Sequence, residues 1–254
     1  MILRRLGNKS KLAEKLQQYF PKHTTYIEPF FGAGGMFFNK PKAKYNIVND
    51  SDSEVFNLFM TVKSNKEALK AQWLKTPISE DLWNYWKTHK ETEPVMRAIR
   101  FLLFSNFGYM GKPDTLRLEG RNAARQLYDM IDKTYQMLFG VEFMNTDFRK
   151  LFNKISLEDQ NRRQSTFVYT DPPYLDTDNN YQQGFTQKDS YDLFDCLEQS
   201  GCRWAMSEFD HPYILKQAKA RGLYIHTIGE RRALNNRRAE ILITNYQKMQ
   251  ATLF

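Results

Sequence analysis

Apolar residues along this chain alternate between short β-type runs and longer stretches with helical spacing. The short runs are Thr24-Thr25-Tyr26-Ile27-Glu28, Tyr45-Asn46-Ile47-Val48, Val141-Glu142-Phe143-Met144, Thr166-Phe167-Val168-Tyr169, Arg203-Trp204-Ala205-Met206, Leu223-Tyr224-Ile225-His226 and Ile241-Leu242-Ile243-Thr244. Several are closed by proline, glycine or an acid, the usual punctuation of strands. Between the second and third runs the period changes. Val55, Leu58, Phe59 and Val62, and later Leu127, Met130, Ile131 and Leu138, recur at three- to four-residue spacing, with Trp73, Trp83 and Trp86 between them. The pattern predicts an α/β layered sheet built from residues 1–54 and 141–254, with a helical insertion over 55–140. Ligands of such sheets gather at the carboxyl ends of the strands, and three of these ends lead into a carboxylate: Asp50, Asp147 and Asp171. No internal repeat, linker or low-complexity tract stands out.

Composition narrows the function class. Hydrophobic residues make up 41% and aromatics 15% of the 254 residues, enough for a sizeable core. Lys and Arg outnumber Asp and Glu by 37 to 29, a formal charge of +8. That surplus suits a polyanionic partner, because phosphate contacts release counterions. The cysteines, Cys196 and Cys202, make no disulfide framework, and the scattered His23, His89, His211 and His226 form no zinc-ligand pattern, so no metal is expected. No stretch approaches the ~18 apolar residues of a membrane span and no secretory leader is visible, so the chain is expected to be cytoplasmic.

The segment richest in chemistry is Asp171-Pro172-Pro173-Tyr174. It follows an apolar strand, and two prolines stop the backbone from continuing as strand or helix. The loop presents a carboxylate, a carbonyl and an aromatic ring. An exocyclic aromatic amine is a poor nucleophile, since its lone pair is delocalised into the ring. Asp171 and the Pro172 carbonyl can accept its two hydrogens and favour a tetrahedral nitrogen, while Tyr174 offers a face on which an extruded base stacks. A second segment, Tyr26 to Gly35, places Gly32, Gly34 and Gly35 after a strand, where backbone can approach a ligand closely. It is not the GxGxxG phosphate fingerprint, and alone it serves a dinucleotide or a structural bend equally well. Asp50, alone, reads either as a turn residue or as a ribose ligand.

Taken in order, these segments resemble the Dam-type DNA adenine-N6 methyltransferases over most of the chain. Leu6-Gly7-Asn8-Lys9, Tyr26 to Gly35, Asn49-Asp50-Ser51-Asp52, Asn145-Thr146-Asp147-Phe148, Asp171 to Tyr174 and Arg238 to Tyr246 match that family's motifs in sequence. The resemblance implies a Rossmann-like methyltransferase sheet with helices on both faces and a small inserted helical DNA-recognition domain. It implies S-adenosylmethionine as methyl donor, leaving S-adenosylhomocysteine. Lys9 and Glu28 would lie near its methionine portion, with Phe30, Gly32, Gly34 and Phe148 lining the pocket, Asp50 on the ribose and Asp147 on the adenine. Asp171, Pro172 and Tyr174 would carry catalysis.

The resemblance also places DNA recognition in residues 55–140. Tyr109, in Asn106-Phe107-Gly108-Tyr109-Met110-Gly111-Lys112, corresponds to an aromatic that inserts into the duplex. Lys112 and Arg117 follow, and the spacing of Arg121 and Arg125 puts them on one helical face, for phosphates or simply for solvent. Arg231, Arg232, Asn235, Asn236, Arg237 and Arg238 correspond to a hairpin that approaches DNA, and Tyr181 to Thr186, which follows the catalytic loop, is read from its position as a lid over the flipped base. Pro113-Asp114-Thr115 and Met110 depart from the GATC-specific pattern, so a GATC-like site is a leading expectation only, while Ser207-Glu208 replaces a common Ser-Asn pair at a secondary pocket contact. Expected partners are double-stranded DNA, with a homodimer on the duplex and a companion restriction endonuclease as options. Competing readings are transfer to cytosine N4, RNA or protein glutamine, and a non-catalytic DNA-binding regulator.

Overall fold

The computed structural model describes residues 1–4, 7–118, 122–157, 159–175, 184–232 and 237–248. Seven strands form one sheet: β1 (Thr25–Glu28), β2 (Tyr45–Asn49), β3 (Val141–Met144), β4 (Thr166–Thr170), β5 (Arg203–Phe209), β6 (Tyr224–Arg232) and β7 (Arg237–Thr244). All seven apolar runs of the sequence are strands. Their order is β3-β2-β1-β4-β5-β7-β6, with the first five parallel and β7 antiparallel to both its neighbours. From β1 the chain winds outward through β2 and β3, and β4 then returns to the other side of β1. The β1/β4 boundary is therefore the topological switch point where such sheets open a crevice. The register aligns Ile27 with Val168, which sets the ends of β1 and β4, and so Pro29 and Asp171, side by side.

Alternate strand residues serve opposite faces. Tyr26, Val48, Phe167, Tyr169, Ala205 and Leu242 join one apolar cluster, and Ile27, Val168, Trp204, Met206, Ile241 and Ile243 the other. The second face is covered by α7 (Phe148–Lys154), α9 (Gln187–Gln199) and α10 (Pro212–Ala220), with α8 (Gln160–Gln164) leading into β4. The first face is covered by α1 (Ala13–Gln17) and by five helices lying between β2 and β3: α2 (Ser53–Ser64), α3 (Lys66–Lys75), α4 (Glu80–Thr88), α5 (Pro94–Phe107) and α6 (Ala123–Met137). These begin where the sequence supplies caps: Asp52 accepts from Glu54 N, and Glu93 precedes Pro94 at the first turn of α5. Trp73, Trp83, Trp86, Leu102 and Ile131 pack in the same cluster as Tyr26 and Phe167. The helical stretch predicted for 55–140 thus shares its apolar core with the sheet. No helix among the described residues is long and apolar enough to cross a membrane.

Candidate active site

The catalytic-type loop leaves β4 at Thr170 and meets side chains from three other elements. Lys9, only 3% exposed, donates to Asp171 Oδ2 at 2.9 Å and to the Gly7 carbonyl at 3.1 Å, and its ammonium pairs with Asp171 Oδ1 at 2.7 Å. Its ammonium also lies 3.4 Å from Glu240 Oε1 on β7 and 4.7 Å from the centroid of the Tyr174 ring. Tyr174 in turn donates to Glu240 Oε1 at 3.3 Å. Burying an unpaired ammonium costs several kcal/mol, so Lys9 is held by this acid pair. Burial pushes the Asp171 carboxyl above the usual carboxylate range, and the Lys9 charge opposes that shift.

Three further groups pin the loop. Glu208, from β5, accepts from Leu175 N at 3.2 Å and Phe209 N at 2.8 Å, and burial pushes its carboxyl up to about 8. Arg238 donates to the Leu175 carbonyl at 3.3 Å. Phe209 meets the Tyr174 ring edge-on at 4.6 Å between centroids. The ring expected as an open stacking platform is therefore packed between Lys9 and Phe209 and is 7% exposed. A tyrosine in a short loop wedged between strand ends buries its large ring there, a packing that sequence spacing does not reveal.

The strand ends surround a cavity of about 1060 Å³, whose lining includes Pro29, Phe30, Asp50, Asp147, Phe148, Pro173 and Phe185. Asp50 is held rigidly: its carboxylate accepts from Gly32 N at 2.6 Å and from Asp52 N at 2.9 Å. Gly34 adopts φ +71°, and a Cβ there would lie 2.4 Å from the Phe38 ring, so the turn can close only with glycine. Phe30, Phe148 and Phe185 form a three-ring wall, with centroids 5.4, 5.9 and 6.4 Å apart. Asp147 caps α7 and pairs with Arg149 at 3.0 Å, while Arg149 also bonds Asp189 and Asp192 on α9. A carboxylate at the turn after β2 and an aromatic slot beside it suit a nucleoside.

Of the residues expected around a cofactor, Phe30, Asp50, Asp147 and Phe148 border this cavity. Lys9, Glu28, Gly32 and Gly34 are not among its lining residues. Lys9 is committed to Asp171 and Glu240. Glu28 is 2% exposed and accepts from the Tyr26 hydroxyl at 2.7 Å, and burial pushes its carboxyl up to about 8. Both form the floor behind the loop. Sequence reasoning did not single out Arg149, and it noted Glu208 only as a departure and Glu240 only within the Arg238 to Tyr246 motif, because the strand pairing and helix packing that bring them here are long-range.

A family model described as D12 class N6 adenine-specific DNA methyltransferase matches residues 6–234. The chain belongs to this family. It is thus an adenine-specific DNA methyltransferase. Among its relatives, the type II methyltransferase M1.LlaDCHI of Lactococcus lactis subsp. cremoris is 25% identical, with 94% of this chain and 93% of the relative covered. The DNA adenine methylase of Escherichia coli K12 is 30% identical over a shorter match, 43% of this chain and 41% of the relative. Among solved structures, the rRNA methyltransferase AviRa from Streptomyces viridochromogenes shares 12% identity at a TM-score of 0.42, with 92% of this chain and 82% of that chain covered, too distant to carry an argument.

Residues 107–117 form a tight loop closed by Arg117 N to Phe107 O at 2.7 Å and a Gly108–Leu116 bridge. Tyr109 is 49% exposed, with the Arg117 guanidinium 5.2 Å from its ring centroid. Lys112 is half-buried beside it. α6, which carries Arg125, begins at Ala123 behind the Asn122 cap. Arg125 is exposed and 3.9 Å from Asp129 one turn on. Arg121, Asn235, Asn236 and the first part of the expected lid, Tyr181 to Gln183, lie outside the described residues, while Arg237 opens β7. Thr186, at the other end of the lid segment, caps α9 in a reciprocal bond with Asp189.

Proposed function

We propose that this methyltransferase transfers a methyl group from S-adenosylmethionine to N6 of an adenine turned out of duplex DNA, at a GATC-like site, with residues 55–140 and the β6–β7 hairpin reading the target. The observation that carries the reading is that the Asp171 to Tyr174 loop borders, through Pro173, the nucleoside-like cavity at the strand ends. Phe30, Phe148 and Phe185 would hold the cofactor's adenine, Asp50 its ribose and Asp147 its exocyclic amine. The floor made by Glu28, Lys9 and the turn at Gly32 and Gly34 would set the depth of the methionine end.

The cofactor supplies an electrophilic methyl carbon on a sulfonium. Asp171 and the Pro172 carbonyl accept the two amino hydrogens of the target adenine and orient the nitrogen lone pair at that carbon. The new N–C bond would form as the S–C bond breaks, which leaves the nitrogen cationic, and loss of one amine proton to solvent would then make the methylated amine neutral. Asp171 acts as an acceptor and positioner, kept in one orientation by Lys9, so catalysis rests on orientation and a fixed polar site. Tyr174 borders the acceptor and limits how the base can seat. Tyr109, Lys112, Arg117, Arg121, Arg125, Asn235 and Arg237 are assigned to the duplex. A companion restriction enzyme and a dimer on DNA belong to the same reading.

Mapping methylated adenines in the genome of a methylation-free host expressing the protein tests both acceptor and site. Modified adenines confined to GATC support the reading. Modified adenines in another motif overturn the site, and none at all overturns the acceptor.

A further inference from the structure

Glu240 is a buried carboxylate in a strand whose next three residues, Ile241, Leu242 and Ile243, are all buried and apolar. It is 1% exposed and lies beyond residue 234, where the family match ends. Leaving a carboxylate in such a place is costly unless charged or hydrogen-bonding partners hold it. Two of its partners flank the catalytic carboxylate: Lys9 at 3.4 Å and the Tyr174 hydroxyl at 3.3 Å, both on the same oxygen, Oε1.

Lys9 faces two acids. Its ammonium is nearer to Asp171, at 2.7 and 2.9 Å, than to Glu240. A lysine given wholly to Asp171 would occupy that carboxylate and weaken it as an acceptor for the adenine amine. A second acid drawing on the same ammonium prevents this. Resting on the methyl-transfer reading above, we propose that Glu240 is a positioning residue: it shares Lys9 with Asp171 and fixes Tyr174, so that Asp171 remains oriented and available to the target amine. Glu240 does not touch the reacting atoms. Other groups in the electrostatic surroundings of Asp171 are Glu28 and Tyr26 from β1, Tyr169 from β4 and Glu208 from β5. Among the charges around Asp171, Glu240 is one that raises its proton affinity while Lys9 lowers it.

The test is a cycle of Glu240→Gln, Lys9→Met and the double variant, with full-length protein, adenine-containing duplex and S-adenosylmethionine. Gln keeps the volume and can still accept from the Tyr174 hydroxyl, and melting curves report whether each variant folds. Glu240→Gln is expected to lower kcat 10- to 100-fold, with both KM values within 3-fold of wild type. It should also move the acidic limb of the kcat–pH profile to lower pH, because Lys9 then serves Asp171 alone. In the Lys9→Met background the same change should cost less than 3-fold further. A kcat within 3-fold of wild type, an unmoved acidic limb, or losses that multiply in the double variant would each overturn the role. Wild-type transfer to adenine is the internal control: if it is absent, the proposed function falls and this role with it; if it is present, Glu240 stands or falls on the variants alone.

Discussion

Gly35→Ala is the substitution whose consequence can be worked most directly from the geometry. A Cβ at residue 35 would lie 2.1 Å from Asn8 Oδ1 and 2.8 Å from Lys9 N, against ordinary contact beginning at 3.4 Å. Asn8 must then retreat by about 1.3 Å and the Lys9 backbone by about 0.6 Å. Neither yields freely, since Asn8 Oδ1 accepts from Ser10 N at 3.0 Å and Ser10 Oγ at 2.8 Å, and Lys9 is anchored to Asp171. Overpacking of this kind costs about 1–3 kcal/mol, and a lost cap adds about 1 kcal/mol. For a protein of this size, that lowers Tm by roughly 5–15 °C. Because Lys9 carries the displacement to Asp171, kcat should fall by about 10- to 100-fold even well below the melting temperature. Gly229→Ala, whose Cβ meets nothing within 4 Å, is the control. Differential scanning fluorimetry and single-turnover methyl transfer report the two effects. A Gly35→Ala protein that melts within 2 °C of wild type, or that melts early yet transfers methyl groups at the wild-type rate, refutes this reasoning.

Other outcomes follow from the same contacts. Asp50→Ala removes the charged acceptor of Gly32 N and Asp52 N; it should weaken S-adenosylhomocysteine binding by roughly 10- to 100-fold by calorimetry, and unchanged affinity would remove Asp50 from the cofactor site. Burial raises the Glu28 carboxyl from an ordinary 4.5 to about 8, so the folded state holds a proton that the unfolded chain has released between those values. Stability from this group is thus greatest below about pH 4.5 and falls towards pH 8, by up to about 1.4 kcal/mol per pH unit. Glu28→Gln should flatten the fall in Tm between pH 6 and 8, and an unchanged slope would contradict the assignment. Lys112→Ala and Arg117→Ala, if each removes one phosphate contact, should each reduce the slope of log K against log salt by about 1; a slope that stays at the wild-type value places them off the DNA.

Much of the fold was legible because its signals are local. The seven apolar runs marked the seven strands, and the three- to four-residue spacing of Val55 to Val62 and of Leu127 to Leu138 marked helices. The tetrapeptide Asp171 to Tyr174 was legible because two prolines and an acid after an apolar strand have few structural uses. What escaped depends on pairings far apart in sequence. Glu240 reaches Lys9 only because β7 inserts antiparallel between β5 and β6; the Arg238 to Tyr246 motif contained it, but nothing local assigned it a role. Glu208 was noticed as a departure from a family pattern, yet its bonds to Leu175 N and Phe209 N require the register of β5 against the loop. Tyr174 was read as an open ring because spacing does not say what packs on it.

The most direct test of the central claim is transfer of a radiolabelled methyl group from S-adenosylmethionine to duplex DNA, followed by digestion to nucleosides, with wild-type protein and Asp171→Ala. The account predicts label in N6-methyladenine with the wild-type protein. It also predicts a loss of at least about 100-fold with Asp171→Ala, while duplex binding is retained. Label in cytosine, in RNA or in protein instead, or an Asp171→Ala variant that methylates adenine at the wild-type rate, would contradict it.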